Sequence, residues 1–465
     1  MMLREQLDGL CYLGAHELSR LYRLRELSPL DVTRATLERI DALNERVNAL
    51  FFVDAEGALA AACASQSRWL AGAPLGPLDG VPVSLKDSVF VAGMPNPQGT
   101  RALAGEPHAE RDSPATARLR EAGAVILGKS TMPDLGVIAA GVSSLHGVTR
   151  NPWNLARNSG GSSSGAGAAL AAGFGALAVG SDIGGSVRIP AAFCGVVGLK
   201  PSFGRVPLAE PWPALVAGPM ARSVADAALL LNAISRPDPV DYSALPWEAR
   251  DYVPNAESGI SGLRFGLLTD IGFGLKVDPE VRTRVEQAAA LLEELGARVE
   301  PMAPIFAEDP EPHFDRMVQA YASCDFARLS PHQQAAVLEP VREWCVRAQD
   351  MTAAELVCST VANNDTRRRV LEACARYDYV LSPTMAMEPY AAELPWPPGG
   401  TRHNPYCFPF NLTEQPALSV CCGFTSSGLP VGLQIVGRRF DDAGVLRVGR
   451  AYESARQPLP SSPAL

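Results

Sequence analysis

From Val81 onward, short apolar runs alternate with alanine-rich stretches whose apolar positions recur at helical spacing. The pattern predicts strands near 81–85, 124–127 and 176–180, with helices near 114–122 and 164–173. Strands and helices in this rhythm describe an α/β sandwich, in which helices cover the faces of a sheet. Upstream, Ser28 and Pro29 cap a helix that carries Val32, Leu37, Ile40, Leu43 and Val47 at helical spacing. Residues 1–70 therefore read as a helical segment packed across the core.

Residues 235–262, rich in Pro, Asp and Ser, predict a connecting loop before a strand at 263–268. Asp278 and Pro279 then open a helix with Val281, Val285, Ala288, Leu292 and Leu295 inward, and Gly296 closes it. Residues 310–375 predict mostly helix and 377–381 a strand, and the sheet resumes at 417–424 and 430–436. Pro395, Pro397 and Pro398 mark a local loop, and no internal repeat is present.

Composition narrows the function. A chain of 465 residues, 47% of them apolar, is long enough to bury a large core. The net charge of −9, with no Lys/Arg run that stands out, gives no footprint for nucleic acid or an anionic membrane. No apolar stretch reaches the ~20 residues of a membrane span; the alanine-rich run 166–180 is broken by Gly173, Gly175 and Gly180. Glu5 and Asp8 stand where a signal peptide would be apolar, so a cytoplasmic chain is expected. Ten cysteines, at 11, 63, 194, 324, 345, 358, 374, 407, 421 and 422, lack Cys-x-x-Cys spacing. They are expected to be buried free thiols and not a zinc or redox site.

The candidate chemistry lies between Asn158 and Arg205. Two Gly-Gly-Ser turns, Gly160-Gly161-Ser162 and Gly184-Gly185-Ser186, fall within this stretch, and Arg188 follows the second. Paired glycines allow a sharp backbone path that turns several N–H groups toward one point. A serine hydroxyl is a weak nucleophile at neutral pH and needs a base. The six histidines, at 16, 108, 146, 313, 332 and 403, lie in no acid-paired setting. Gly80 to Asp87, reading GVPVSLKD, instead ends an apolar strand in Lys86, with Asp87 on the opposite side if the strand continues. A phosphate loop would need Gly-Lys-Ser/Thr, yet no lysine lies between Lys129 and Lys200, and the later glycines miss the dinucleotide fingerprint. Cys194, a rival nucleophile, has no cationic neighbour to activate it.

These motifs resemble the amidase signature family of serine amidohydrolases. The run from Gly160 to Gly204 matches the family's glycine- and serine-rich signature almost throughout, and Arg118 to Lys129, Thr149 to Asn154, Gly218 to Ser223 and Asn411 to Gln434 are also similar. Similarity is clear over about residues 75–235 and 375–455 and weak between. It implies one domain over 1–465: a signature core at 75–235, a variable, mostly helical substrate-side region at 300–375 and a sheet-completing part at 376–456. The implied fold is a single α/β/α sandwich around a large mixed, twisted sheet flanked by helices.

The same resemblance implies Ser186 as nucleophile and Lys86 as base acting through Ser162, whose peptide bond is cis in the family. It puts the oxyanion hole on the backbone N–H groups of Ile183, Gly184, Gly185 and Ser186. Lys86 must then be neutral, far below its free pKa of ~10.4, which burial can achieve. Asp182 and Arg188 are expected to hold the turn as an ion pair. Ser163 is expected to bond backbone or substrate, and Ser164 to start the next helix. No cofactor or metal is implied. The expected partners are a small-molecule amide and a second copy in a homodimer, with no nucleic acid and no membrane.

The activity implied is hydrolysis of a neutral carboxamide or N-substituted amide, and of matching esters, to an acid plus ammonia or amine. Two alternatives stand beside it: the glutaminase subunit of a tRNA-dependent amidotransferase, and a catalytically silent scaffold. Ser88 replaces the family's usual Asn, Pro95-Asn96-Pro97-Gln98 its threonine-rich turn, and Glu414 a small residue. The second change, the turn, borders the substrate pocket in relatives and bears on what is bound.

Overall fold

The computed structural model describes residues 9–253, 259–399, 404–460 and 462–465; Glu5, Asp8 and His403 lie outside the described residues. The predicted alternation becomes eleven strands of one sheet. They are β1 (Leu50–Val53), β2 (Pro82–Lys86), β3 (Val125–Ser130), β4 (Leu177–Asp182), β5 (Val197–Lys200), β6 (Val216–Ala221), β7 (Arg264–Leu267), β8 (Arg298–Pro301), β9 (Tyr379–Pro383), β10 (Ala417–Phe424) and β11 (Pro430–Val436). Their order across the sheet is β1-β3-β2-β4-β6-β5-β10-β11-β9-β7-β8. The sheet is mixed: β2 runs parallel to β3 and β4, β7 parallel to β8 and β9, and the other pairs are antiparallel.

Successive strand residues point to opposite faces, and both faces are apolar. On one side Ile126, Leu177 and Val179 pack with helices Val224–Ile234, Pro279–Glu294 and Asp442–Ala455. On the other, Val125, Leu127 and Ala178 pack with Pro29–Val47, Ala55–Leu70 and Ser164–Ala172. This is the expected α/β/α layering. Caps fix where helices begin, with the Ser28 side chain accepting from Leu30 N and the Asp278 side chain from Glu280 N. Among the described residues no helix is long and apolar enough to cross a membrane.

The structure departs from the pattern in places. Leu295 falls beyond its helix, which ends at Glu294, and is exposed; Leu37 and Leu43 are only half-buried. Cys63, Cys324 and Cys358 are exposed on helix surfaces, against the expectation of burial, while all ten cysteines are free thiols. Strand β2 stops at Lys86, so Asp87 does not continue the pleat. It turns, giving its N–H to Ser130 O (3.0 Å) and accepting Gly99 N on its carboxylate (2.6 Å).

Candidate active site

Two neighbouring parallel strands and the turns that follow them build the site. Leu85 packs into the first face's core, so Lys86, the next residue of β2, projects to the other face, where the Ser162 turn precedes the helix Ser164–Ala172. Lys86 Nζ donates to Ser162 Oγ (2.8 Å) and to Ser181 Oγ (2.9 Å). The Gly161–Ser162 peptide is cis. A Cβ on Gly161 would lie 2.6 Å from both the N and the O of Ala140, so the first turn has no room for a side chain there.

Ser186 sits in the turn between β4 and the short helix Arg188–Cys194. Asp182 and Arg188, both fully buried, staple this turn. Asp182 Oδ1 accepts Gly185 N (2.8 Å) and Arg188 Nη2 (2.9 Å), and Oδ2 accepts Val187 N (3.1 Å) and Arg188 Nε (3.0 Å). Arg188 also donates to Gln434 Oε1 (2.8 Å) and Asn411 Oδ1 (2.5 Å). Buried ion pairs hold only when such bonds satisfy their remaining donors and acceptors. Burial pushes the Asp182 carboxyl upward, but Arg188, Asn411 and Lys200 outweigh it and hold Asp182 well below the usual range.

Lys86 is 1% exposed, Ser162 2% and Ser186 8%, a gradient from the interior to the cavity floor. Burial lowers Lys86 from its ordinary 10.5 to about 7, against the opposing charges of Asp182 and Asp87. Among the described residues no hydrogen bond closes the step from Ser162 to Ser186. The two are joined through the backbone, where Ser163 N donates to Ser186 O (3.1 Å). Such catalytic contacts commonly tighten only when substrate binds. Ser163 Oγ is engaged with the Ser181 backbone, donating to O (3.2 Å) and accepting from N (3.3 Å). Ser164 is the first residue of its helix.

The N–H groups of Ile183, Gly184 and Ser186 have no acceptor among the described residues. That of Gly185, also expected among the oxyanion donors, instead donates to Asp182 Oδ1 (2.8 Å). Lys86, Ser162, Ser181, Ile183 and Ser186 line one cavity of about 1090 Å³, counting the part open to solvent. Ser88 and Gln98, from the two departing segments, line it as well. A smaller cavity of about 320 Å³ adjoins it at Ile183, Gly184 and Ser186.

Sequence reasoning missed several residues. Ser181 shares the Lys86 amino group, and only its place two residues ahead of Ile183 hinted at this. Lys129 is buried and donates to the carbonyls of Asp87 (2.9 Å) and Val89 (2.6 Å). Lys200 is buried against Pro201 O (3.0 Å). Both lysines, like Lys86, lie at or next to the end of a largely apolar strand, a signal that was available. His146 Nε2 lies 3.8 Å from Asp87 Oδ2, correcting the expectation that no histidine faces an acid. Cys194 is buried, and burial pushes its thiol pKa up.

A family profile described as Amidase matches residues 31–446. An acylamidase of Rhodococcus erythropolis is 34% identical over 473 residues, covering 98% of each chain. A glutamyl-tRNA(Gln) amidotransferase subunit from Moorella thermoacetica is 36% identical over 483 residues, 96% of this chain and 97% of its own. Among solved structures, a bacterial aryl acylamidase has a TM-score of 0.89 at 28% identity and 96% coverage of both chains. The 6-aminohexanoate cyclic dimer hydrolase has a TM-score of 0.87 at 29% identity, covering 96% of this chain and 97% of its own. Likeness of this extent shows that the chain belongs to the amidase signature family and is an amidase, a hydrolase of amide C–N bonds.

Proposed function

We propose that this amidase hydrolyses a neutral carboxamide or N-substituted amide, and matching esters, through an acyl-enzyme on Ser186. The observation that carries the reading is the buried Lys86 Nζ to Ser162 Oγ bond (2.8 Å) at the floor of the cavity that Ser186 also lines. Neutral Nζ gives one hydrogen to Ser181 Oγ and keeps a lone pair that can turn to Ser162. As Ser186 Oγ attacks the carbonyl carbon, its proton passes to Ser162, and the Ser162 proton passes to Lys86. The developing oxyanion takes the N–H groups of Ile183, Gly184 and Ser186, while Gly185 and the Asp182–Arg188 pair hold the turn in shape. Collapse breaks the C–N bond, and the relay returns the proton to the leaving amine. Water then attacks the acyl-enzyme through the same relay, releasing the acid and freeing Ser186.

The reading also places the protein in the cytoplasm, as a homodimer whose protomer is one domain over residues 1–465 with the parts set out above. Light scattering after size-exclusion chromatography checks the dimer. For the chemistry, parent protein is expected to release acid and amine from a panel of neutral alkyl and aryl amides, followed by mass spectrometry. Ser186→Ala should lose on the order of 10⁴-fold or more of that rate with an unchanged circular dichroism spectrum. Turnover within tenfold of the parent would rule out the mechanism. A second reading, the glutaminase part of an amidotransferase, draws support from the likeness to the Moorella thermoacetica protein. It would be favoured by glutamine hydrolysis that appears only with partner subunits and ATP.

A further inference from the structure

The helix Glu311–Ala327 forms one wall of the large cavity, and its three lining residues form a ruler. Val318, Ala322 and Asp325 all line the cavity and are spaced four and three apart, so they share one helix face. Val318 also borders the small cavity beside Gly184 and Ser186, which sets that end of the ruler next to the nucleophile. Asp325 comes seven residues later, about 10 Å farther along the axis at 1.5 Å per residue. The loop that carries Leu208, Glu210 and Trp212 lines the same cavity beside this helix. The Trp212 and Tyr321 rings pack with centroids 5.2 Å apart and planes tilted by 32°, tying loop to helix.

The distribution of charge along this ruler is one-sided. Among the described residues lining the cavity, the charged side chains are Lys86 at the floor and Glu210 and Asp325 away from it. Lys86 is the buried base and works only when neutral, so it offers nothing to a carboxylate on the substrate. The uncharged lining is mostly apolar, with Phe90, Leu135, Val137, Leu208 and Leu215, beside polar Ser88, Gln98 and Ser113. Asp325 is half-buried, and its ion-pair partner Arg328 (3.2 Å) is 80% exposed, where solvent and salt screen the pair. Glu210 is exposed. An arm that follows this wall away from Ser186 thus leaves apolar surface and meets negative charge.

Resting on the reading of Ser186 as the amide-attacking serine, we infer that the cavity selects amides carrying an apolar arm about 10 Å long that ends in a cation. An ammonium is the simplest such group. Arms that end in a carboxylate, including the short zwitterionic arm of glutamine, are disfavoured. Asp325 and Glu210 are the specificity-determining residues. A helix from the weakly similar region sets the choice, so relatives with the same catalytic turns need not share it.

The test uses the folded Ser186→Ala protein, whose binding can be followed whether or not the parent turns a compound over. Two matched amide sets are titrated by calorimetry: para-nitroanilides of eight-carbon acyl arms, and benzamides of eight-carbon amines. Each arm ends in ammonium, methyl or carboxylate. In at least one set the ammonium arm is expected to bind about tenfold tighter than the methyl arm, with the carboxylate arm weakest and the gap narrowing in added salt. The set that responds tells which half of the amide lies along the helix. Adding Asp325→Asn and Glu210→Gln, singly and together, should bring the ammonium-to-methyl ratio toward one. Ammonium binding no tighter than methyl in both sets, or a preference that survives both substitutions, overturns the inference. If the predicted order holds but the parent hydrolyses none of the six amides, the proposed reaction falls and the charge selection stands.

Discussion

The stretch from Asn158 to Gly204 and the helical stretch from Glu311 to Cys374 reach the same cavity under opposite constraints. In the first, every residue of the helix Ser164–Ala172 is buried, and Asp182 and Arg188 are 0% exposed. In the second, Val357 is 61% and Val361 64% exposed, yet Val318 and Ala322 from the same stretch are buried and line the cavity. The difference teaches how labour is divided. Close packing of backbone and fixed charge holds the proposed reacting groups, and the buried face of one helix, in a stretch that elsewhere is exposed, lines the cavity they meet. Packing to crystal-like density leaves the first region few tolerable changes, whereas a solvent-facing helix surface tolerates many.

The contrast is broken most severely by removing the base. Lys86→Ala should remain folded and lose nearly all turnover, on a scale comparable with Ser186→Ala, as read by steady-state kinetics beside circular dichroism. A large residual rate would mean that another group takes the Ser162 proton. Next in size is Gly185→Ala. Gly185 has φ of 119°, and a Cβ there would sit 2.8 Å from Cys407 Cβ and from Ile189 Cδ1, so the turn must shift. Displacing its oxyanion donors should lower kcat on the order of 10²–10³-fold, with KM much less affected. A normal kcat in this variant would detach the turn's geometry from the chemistry.

A smaller effect follows from pH. In the proposed mechanism the working form of Lys86 is neutral, and burial lowers its pKa to about 7. Activity should therefore rise as pH increases through about 7 and level off above, which a pH profile of kcat/KM checks. Stability has the same sign: the unfolded chain binds a proton at this lysine up to its ordinary 10.5 while the folded chain sheds it near 7. Folding should thus be favoured as pH rises across that window and lose this contribution as pH falls through it. Lys129, lowered to about 8, and Lys200, lowered to about 7, both chiefly by burial, act in the same direction. The smallest effect belongs to the other region. Val361→Lys should change stability by less than about 0.5 kcal/mol and leave kcat unchanged, measured by thermal melting and kinetics.

Legibility followed the same division. Strands β10 and β11 coincide with their predicted limits because each is a nearly unbroken apolar run between turn residues. The serines proposed as catalytic were visible because glycine pairs beside serine serve few structural ends. Strands β1, β5, β6 and β8 escaped prediction: β1, β5 and β8 are only four residues long, and β6 carries Gly218 and Pro219, which read as a turn although Pro219 pairs with Val179 inside the sheet. The engaged N–H of Gly185 and the approach of His146 to Asp87 depend on chain segments brought together only by folding. The pocket face of the helix Glu311–Ala327 was hidden for a further reason. Val318 and Ala322 look like any core positions of an amphipathic helix, and nothing in their spacing says that a cavity, not a neighbouring helix, lies opposite.

The central claim is that Ser186 is a nucleophile activated by neutral Lys86 through Ser162. Its most direct test is labelling with a serine-directed phosphonylating probe at pH values on both sides of neutrality, followed by intact mass and peptide mapping. The account predicts a single adduct on Ser186, formed faster as pH rises through about 7, and nearly absent in Lys86→Ala. An adduct on another residue, or labelling of Lys86→Ala at the parent's rate, would contradict it.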